Sequence, residues 1–281
     1  MKLISCWQSY CIGGSTTLNL DELFTLKGKI ALVTGGAGYL GTEISATLAE
    51  LGATVIVASR NYNKCQKKCE EIQKSLPKGG DLFPLTLDLM NKVSIDHCFK
   101  KIEDQFGSLD ILVNNAWSGN KNSFETITDQ DWEYDIDMSL NSVFYCTKKA
   151  VKGLIEKKGV ILNVTSMYGH VAPDYRIYDG KEFTNPPSYG AAKAGVIQFS
   201  KYLASFLSPH GIRVNCLSPG PFPHEQTQEN KEFIQKLASK NPMNRIGKAY
   251  EIKGAVALLC TNASSYMTGQ NICVDGGWAV W

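Results

Sequence analysis

A short apolar run that ends in a glycine-rich turn is the feature that most restricts how this chain can fold. Residues 29–34 (Lys-Ile-Ala-Leu-Val-Thr) have the pattern of a buried strand, and residues 35–41 read Gly-Gly-Ala-Gly-Tyr-Leu-Gly. Apolar residues with helical spacing follow and stop at Gly52. Strand, glycine turn and helix in this order are typical of a dinucleotide-binding site, because glycine lets the backbone approach a pyrophosphate and the helix N-terminus offers free N–H groups.

Strand-like and helix-like segments alternate along the rest of the chain. This alternation predicts an α/β protein with a single-domain Rossmann fold, built on a doubly wound, seven-stranded parallel sheet. We expect the domain to cover residues 23–281, after an N-terminal extension of residues 1–22. Besides residues 29–34, the predicted strands are residues 54–58, 82–87, 109–113, 159–166, 212–217 and 271–274.

Composition narrows the possible partners. The net charge is +2 without a clustered basic face, so nothing supports nucleic-acid binding. No run of 18 apolar residues suggests a membrane span. The nine cysteines form no CxxC pair and several fall in predicted core elements, which indicates reduced thiols in a cytoplasmic protein and no metal site.

A tyrosine and a lysine four residues apart form the second informative motif. On a helix, Tyr189 and Lys193 share one face. A phenol with a pKa of about 10 is a poor proton shuttle at neutral pH, and a neighbouring cation favours the phenolate. The pair therefore predicts acid–base chemistry, although this spacing also occurs by chance in many helices.

The end of the second predicted strand bears on the choice of cofactor. An NAD site usually has an acidic residue here, but this chain has Ser59, Arg60 and Asn61. An arginine can grip a 2′-phosphate, so we predict NADP, with NAD as an alternative if Arg60 is only a surface residue. Asp88 follows the third strand, either at the ligand-binding edge of the sheet or as a helix cap.

Taken together, the chain resembles a short-chain dehydrogenase/reductase from about Leu26 to Gly277. Each matching motif is weak alone, but their order along the chain is characteristic of that family. The matches are Thr34-Gly35, Gly41, Asp88, Asn114-Asn115-Ala116, Ser166, Tyr189 with Lys193, Pro219-Gly220, Arg245 with Gly247, Thr268-Gly269-Gln270 and Asp275-Gly276-Gly277.

The resemblance implies hydride transfer between a nicotinamide and a secondary alcohol or ketone of a small-molecule substrate. Tyr189 would exchange the proton of the substrate oxygen, Ser166 would hydrogen-bond the same oxygen, and Lys193 would lower the Tyr189 pKa and hold the nicotinamide ribose. Relatives of this kind form homotetramers or homodimers through the helix that carries the tyrosine. The implied cofactor contacts are Thr34, Gly35, Gly38, Tyr39, Leu40, Gly41, Ser59, Arg60, Asn61, Asp88, Leu89, Asn115, Ala116, Tyr189, Lys193, Pro219 and Gly220.

Three substitutions depart from the family pattern. Tyr39 stands where the shorter enzymes usually have glycine, and Trp117 replaces a glycine, so its ring is expected to line the substrate pocket. Ser139 occupies the position of a catalytic asparagine in many members. Asn141 cannot replace it, because two residues turn a helix by about 200°. We therefore expect Ser139, with a water, to serve in the proton relay.

A long loop between Ser166 and Tyr189 is the fourth departure. These residues are 23 positions apart, more than is common in the family, and the loop contains Asp174, Arg176 and Tyr178. With Trp117, these three residues are predicted to bind substrate, and their polarity favours a sugar or sugar derivative. A solvated insertion or an oligomer contact explains the loop equally well.

Two other functions are compatible with these motifs. The altered Ser139 position would suit a catalytically silent, NADP-binding sensor or scaffold. A sugar epimerase or dehydratase of the same superfamily could use the same tyrosine.

Overall fold

The computed structural model describes residues 17–76, 79–178 and 183–280. Most of the predicted N-terminal extension therefore lies outside the described residues. Helix α1 (Leu20–Phe24) crosses the predicted boundary between residues 22 and 23, and Asn19 caps it through the backbone N–H of Glu22. The predicted boundary therefore falls inside a helix, and the division into an extension and a domain stays a prediction.

Seven parallel strands form one sheet, as predicted. The spatial order is β3-β2-β1-β4-β5-β6-β7, and every neighbouring pair is parallel. Chain order reverses between β1 and β4, which creates a crevice at the carboxyl ends of the strands. The strands are β1 (Ile30–Thr34), β2 (Thr54–Ser59), β3 (Leu82–Thr86), β4 (Ile111–Asn114), β5 (Val160–Val164), β6 (Arg213–Pro219) and β7 (Asn271–Val274).

Helices cover both faces of the sheet, because both faces of its strands are apolar. In β4, Val113 belongs to the apolar core on one face of the sheet, with helix residues such as Ile44 and Val256. Leu112 belongs to the core on the other face, with Ile95 and Leu203. None of the helices in the described ranges is long and apolar enough to cross a membrane. The remaining helices are α2 (Tyr39–Glu50), α3 (Tyr62–Ser75), α4 (Lys92–Phe106), α5 (Asp129–Ile136), α6 (Ser142–Lys157), α7 (Pro187–Leu207), α8 (Glu225–Gln228), α9 (Lys231–Ala238) and α10 (Lys253–Cys260).

A π-helical segment, Asp137–Asn141, joins α5 to α6. Apolar residues with helical spacing from Trp132 to about Ile155 predict one uninterrupted helix here, because such periodicity does not reveal a single widened turn. Such turns are rare and frequently lie at functional sites. This one buries Met138 and Ser139 beside the crevice.

Candidate active site

A cavity of about 550 Å³ lies at the carboxyl ends of the central strands. It extends from the end of β2 to the first turn of α7, so it joins the two motifs that the sequence singled out. The predicted residues that line it are Gly35, Gly38, Tyr39, Leu40, Gly41, Ser59, Arg60, Asn61, Asp88, Leu89, Asn115, Ala116, Trp117, Ser166, Tyr189, Lys193, Pro219 and Gly220.

Thr34 is the one predicted cofactor residue outside this lining. Its buried hydroxyl accepts hydrogen bonds from the backbone N–H groups of Asn115 (3.0 Å) and Ala116 (3.1 Å). The side chain of Asn115 donates to the carbonyl groups of Thr34 and Gly35. Thr34 therefore joins the glycine turn to the end of β4 instead of facing the cavity.

The glycine turn leaves a backbone cradle that fits a pyrophosphate. Gly35 has φ +63°, and a Cβ atom there would lie 2.7 Å from the Cα of Ala116. At the start of α2, Gly38 provides no side-chain cap. Backbone N–H groups at this helix N-terminus thus face the cavity without a competing side chain, which suits a bound anion.

The end of the cavity near β2 carries positive charge. Arg60 and Lys64 both line it, and no acidic side chain of β2 lies there. Asp88, which follows the neighbouring strand β3, also lines the cavity. The alternative interpretation of Asp88 as a cap is wrong, because Asn91 accepts the hydrogen bonds from Val93 and Ser94 at the start of α4.

Tyr189 and Ser166 meet at the opposite end. Burial raises the pKa of Tyr189, and a hydrogen bond with the Ser166 side chain acts in the opposite direction. Lys193 donates from Nζ to the carbonyl of Val164 (2.9 Å), and this nitrogen lies 5.8 Å from the centroid of the Tyr189 ring. Desolvation is the largest effect on the Tyr189 pKa in this structure, and the expected lowering of that pKa by Lys193 stays a prediction. Burial lowers the pKa of Lys193 itself to about 8.

Aromatic rings form the mouth of the cavity. Trp117 contacts Tyr189 edge-on, with centroids 5.1 Å apart. Tyr39, on the glycine turn, contacts the ring of His224 just before α8, at 4.7 Å. Sequence reasoning missed His224, although it directly follows the proline-rich turn after β6. The other lining residues that were missed include Lys64, Ser118, Met138 and Phe222.

The long loop does not deliver its predicted substrate-binding residues to this cavity. Asp174 binds Arg176 (2.7 Å) and Lys240 (2.5 Å), and these cations hold its pKa far below the ordinary range. Tyr178 packs against Phe183 and Phe233. None of the three predicted side chains lines the cavity. The polarity of the loop suggested a binding surface, but these side chains attach the loop to Phe233 of α9 and to Lys240, two residues beyond the end of that helix.

Ser139 is buried behind the cavity. Its Oγ has no hydrogen-bond partner among the described residues. The Asn141 side chain instead donates to Asp137 (2.5 Å), one turn back on the π segment. Asn141 is therefore engaged elsewhere, and Ser139 is the polar side chain available at this position.

The fold and this site together define a dinucleotide-dependent oxidoreductase with a Rossmann sheet. A family model described as enoyl-(acyl carrier protein) reductase matches residues 36–279. The chain belongs to the short-chain dehydrogenase/reductase family and is an NAD(P)-dependent oxidoreductase.

Several curated relatives are 3-oxoacyl-[acyl-carrier-protein] reductases. The one from Staphylococcus aureus strain Mu50 is 34% identical over 254 residues, which cover 89% of this chain and 97% of the relative. The one from Escherichia coli K12 is 34% identical over 253 residues, covering 89% and 97%.

Solved structures agree in fold. A short-chain dehydrogenase/reductase from Mycobacterium marinum has a TM-score of 0.83 at 29% identity, covering 92% of this chain and 99% of that one. A gluconate 5-dehydrogenase from Burkholderia cenocepacia, in complex with NADP and tartrate, has a TM-score of 0.83 at 25% identity, covering 94% and 100%.

Proposed function

We propose that this enzyme interconverts a secondary alcohol and a ketone with NADP(H), and that Tyr189 is its proton donor and acceptor. The observation that carries this proposal is that Tyr189 and Ser166 line one end of a cavity whose other end is a glycine cradle, and the Ser166 side chain favours a lower pKa of Tyr189. The nicotinamide, when bound, supplies or accepts the hydride. Tyr189 gives its proton to the carbonyl oxygen during reduction, and Ser166 donates a hydrogen bond to the same oxygen.

Lys193 is proposed to hold the nicotinamide ribose and to supply positive charge beside Tyr189. Since its pKa is lowered to about 8 from an ordinary value of 10.5, the ammonium loses its proton as pH rises through about 8. Tyr189, whose pKa is raised, keeps its proton over the same range. We expect kcat/KM for ketone reduction to be highest below pH 8 and to fall above it. The measurement is a rate profile from pH 6 to 10.

Lys193→Arg provides the matching control for this profile. Arginine stays charged over the whole range, so the variant should lose the fall near pH 8 even if its overall rate is lower. A wild-type profile that stays level through pH 8 to 10 would show that Lys193 ionisation has no part in turnover.

Ser139 is proposed to anchor a water in the proton relay. This role is supported by a buried hydroxyl that has no partner among the described residues and lies next to the cavity residue Met138. Ser139→Ala should lower kcat by about tenfold, less than the loss of a direct general acid or base because Ser139 acts through a water, and leave the KM for NADPH unchanged. An unaltered kcat would remove Ser139 from the mechanism.

A compact, polyhydroxylated substrate, a sugar or sugar derivative, is our first candidate. The described part of the long loop packs in the apolar cluster that also includes Tyr189, and the Asp174–Lys240 ion pair and the Tyr178–Phe233 contact hold it there. Trp117 and the Ser118 hydroxyl line the mouth, and an aromatic face beside hydroxyl groups suits a sugar ring. A gluconate 5-dehydrogenase among the structural relatives supports the same class.

A 3-oxoacyl thioester is the second candidate, favoured by the names of the curated relatives. The apolar lining residues Met138 and Phe222 could accept its methylene groups. The experiment is NADPH oxidation, and NADP⁺ reduction, with a panel of sugars, sugar acids and polyols beside 3-oxoacyl thioesters. Preference for the thioesters would overturn the sugar proposal.

We also propose a homodimer or homotetramer built on α6 and α7. Aromatic rings form a continuous row on these helices, with neighbouring centroids 5.8 to 6.5 Å apart: Phe144, Tyr202 and Phe206 are exposed, and Phe199 between them is partly buried. An apolar row of this size usually marks an interface. Tyr202→Glu together with Phe206→Glu should convert an oligomer into a monomer in sedimentation velocity. A monomeric wild-type protein would refute the proposal.

A further inference from the structure

A buried carboxylate behind the substrate mouth has no role in the mechanism above. Asp135, on α5, is only 2% exposed. Its Oδ2 accepts hydrogen bonds from Ser188 Oγ (2.5 Å) and Asn120 Nδ2 (2.6 Å), and its Oδ1 accepts from the Asn120 N–H (3.2 Å). No cation pairs with it in the described parts of the chain. Burying a charged carboxylate costs free energy, so the three hydrogen bonds that Asp135 accepts need an explanation.

The first arm of this network reaches the catalytic helix. Ser188 directly precedes Tyr189 in the first turn of α7, where Pro186 provides no side-chain cap. The Asp135–Ser188 bond is buried and spans 53 positions of sequence. It therefore fixes the start of α7, and with it the backbone of Tyr189, relative to α5.

The second arm reaches the loop that follows Trp117. Asn120 is held by both its backbone N–H and its side-chain amide. Gly119 lies between the carboxylate and the indole: a Cβ atom there would stand 2.7 Å from Asp135 Oδ1 and 3.1 Å from Trp117 Cζ2. The same carboxylate thus supports the loop against which the Trp117 ring packs.

We infer that Asp135 is a positioning residue that holds the two walls of the substrate mouth together. Its two arms fix Tyr189 and Trp117, whose rings meet at 5.1 Å, while Asp135 itself lines no part of the cavity. This inference rests on the proposed function, since it assigns Tyr189 to proton transfer. The Ser188 arm sets the placement of the proton donor, and the Asn120 arm sets the shape of the substrate wall.

The two arms predict different kinetic effects. Ser188→Ala should lower kcat by about tenfold with little change in substrate KM, because small displacements of a reacting group are costly. Asn120→Ala should raise substrate KM by about fivefold with little change in kcat. This variant removes the support of the Trp117 loop but leaves Tyr189 in position. Asp135→Ala should show both effects.

Conservative variants distinguish a positioning role of Asp135 from a variant that simply fails to fold. Asp135→Asn keeps an acceptor for the two short contacts and should restore most of what Asp135→Ala loses. Asp137→Asn makes the same chemical change two residues along the chain, at the exposed start of the π segment, where the new amide oxygen can still accept from Asn141, and it should behave as wild type. Hydrogen exchange adds a readout that needs no substrate: Asp135→Ala should increase exchange in residues 117–122 and 187–191, and Ser188→Ala in the second segment alone.

A kcat effect for Ser188→Ala and a KM effect for Asn120→Ala, with both segments loosened in Asp135→Ala, support the inference. Equal effects of both arms on kcat and KM, or unchanged exchange in Asp135→Ala, overturn it. If the wild-type protein turns over no substrate, the proposed function fails, and the exchange measurement still decides whether Asp135 holds the two walls.

Discussion

Replacing Tyr189 by phenylalanine is expected to lower kcat at least about a thousandfold, in line with the loss of a general acid. The variant removes only the hydroxyl that hydrogen-bonds Ser166, and it keeps the ring that packs against Trp117. The cavity should therefore keep its shape, and the Kd for NADPH should change by less than about threefold. Steady-state rates and a fluorescence titration with NADPH measure the two quantities.

Tyr178→Phe is the matched control for that variant. Tyr178 belongs to the same aromatic region, and burial raises its pKa to about 12, but it does not line the cavity. Its removal should leave kcat within about twofold of wild type. If Tyr189→Phe retained more than a tenth of the activity, proton transfer by Tyr189 would be excluded.

Replacing Arg60 by alanine is expected to weaken NADPH binding by about 10- to 100-fold while leaving NADH binding nearly unchanged. The guanidinium lies at the β2 end of the cavity with Lys64, where a 2′-phosphate would meet two cations. Hydrogen bonds to a charged group contribute about 1.5–3 kcal/mol each, which corresponds to this range. Calorimetric titration with both cofactors gives the comparison.

Lys67→Ala is the control for the Arg60 variant. Lys67 lies on α3 beyond Lys64, its side chain is 78% exposed, and it is paired with Glu71 rather than directed at the cavity. Its loss should change the Kd for NADPH by less than about twofold, as for most surface charges. Equal weakening of NADPH and NADH in Arg60→Ala would show that Arg60 does not recognise the 2′-phosphate.

The sheet and the cofactor end of the site were predictable because their signals are local. A buried parallel strand is an apolar run, and a turn that must approach a phosphate needs glycine whatever surrounds it. The first rule predicted β1, and the second predicted the glycine turn of residues 35–41. Thr34 shows the limit of this reasoning, because its hydroxyl accepts hydrogen bonds from the backbone N–H groups of Asn115 and Ala116, just after β4, and does not face the cavity.

The substrate end of the site depends on contacts between segments that are distant in sequence. Here some predictions from the sequence were wrong, and other residues were not predicted at all. Asp174 and Arg176 stand out as charged residues in a loop, yet their charges are used within the loop and by Lys240. Asp135 did not stand out, because an acidic residue within a helix is ordinarily solvated. Only the fold shows that Ser188 and Asn120 converge on it. The widened turn at Ser139 is likewise invisible to periodicity.

The cysteines are consistent with core packing. All seven in the described residues are free, and six of them are buried. Burial raises the pKa of thiols such as Cys69 and Cys98 to about 12, so they are poor nucleophiles at neutral pH. The cytoplasmic location expected from their pattern stays a prediction.

The most direct test of the account is the fate of deuterium from NADPH labelled at both C4 positions. With a substrate from the panel, the alcohol product should carry one deuterium on its carbinol carbon, in amounts equal to the NADPH oxidised, and Tyr189→Phe should form almost none. Unlabelled product would point to an epimerase or dehydratase. No product from wild-type protein that still binds NADPH would point to a silent nucleotide-binding protein. Either result would contradict hydride transfer to a ketone held by Ser166 and Tyr189.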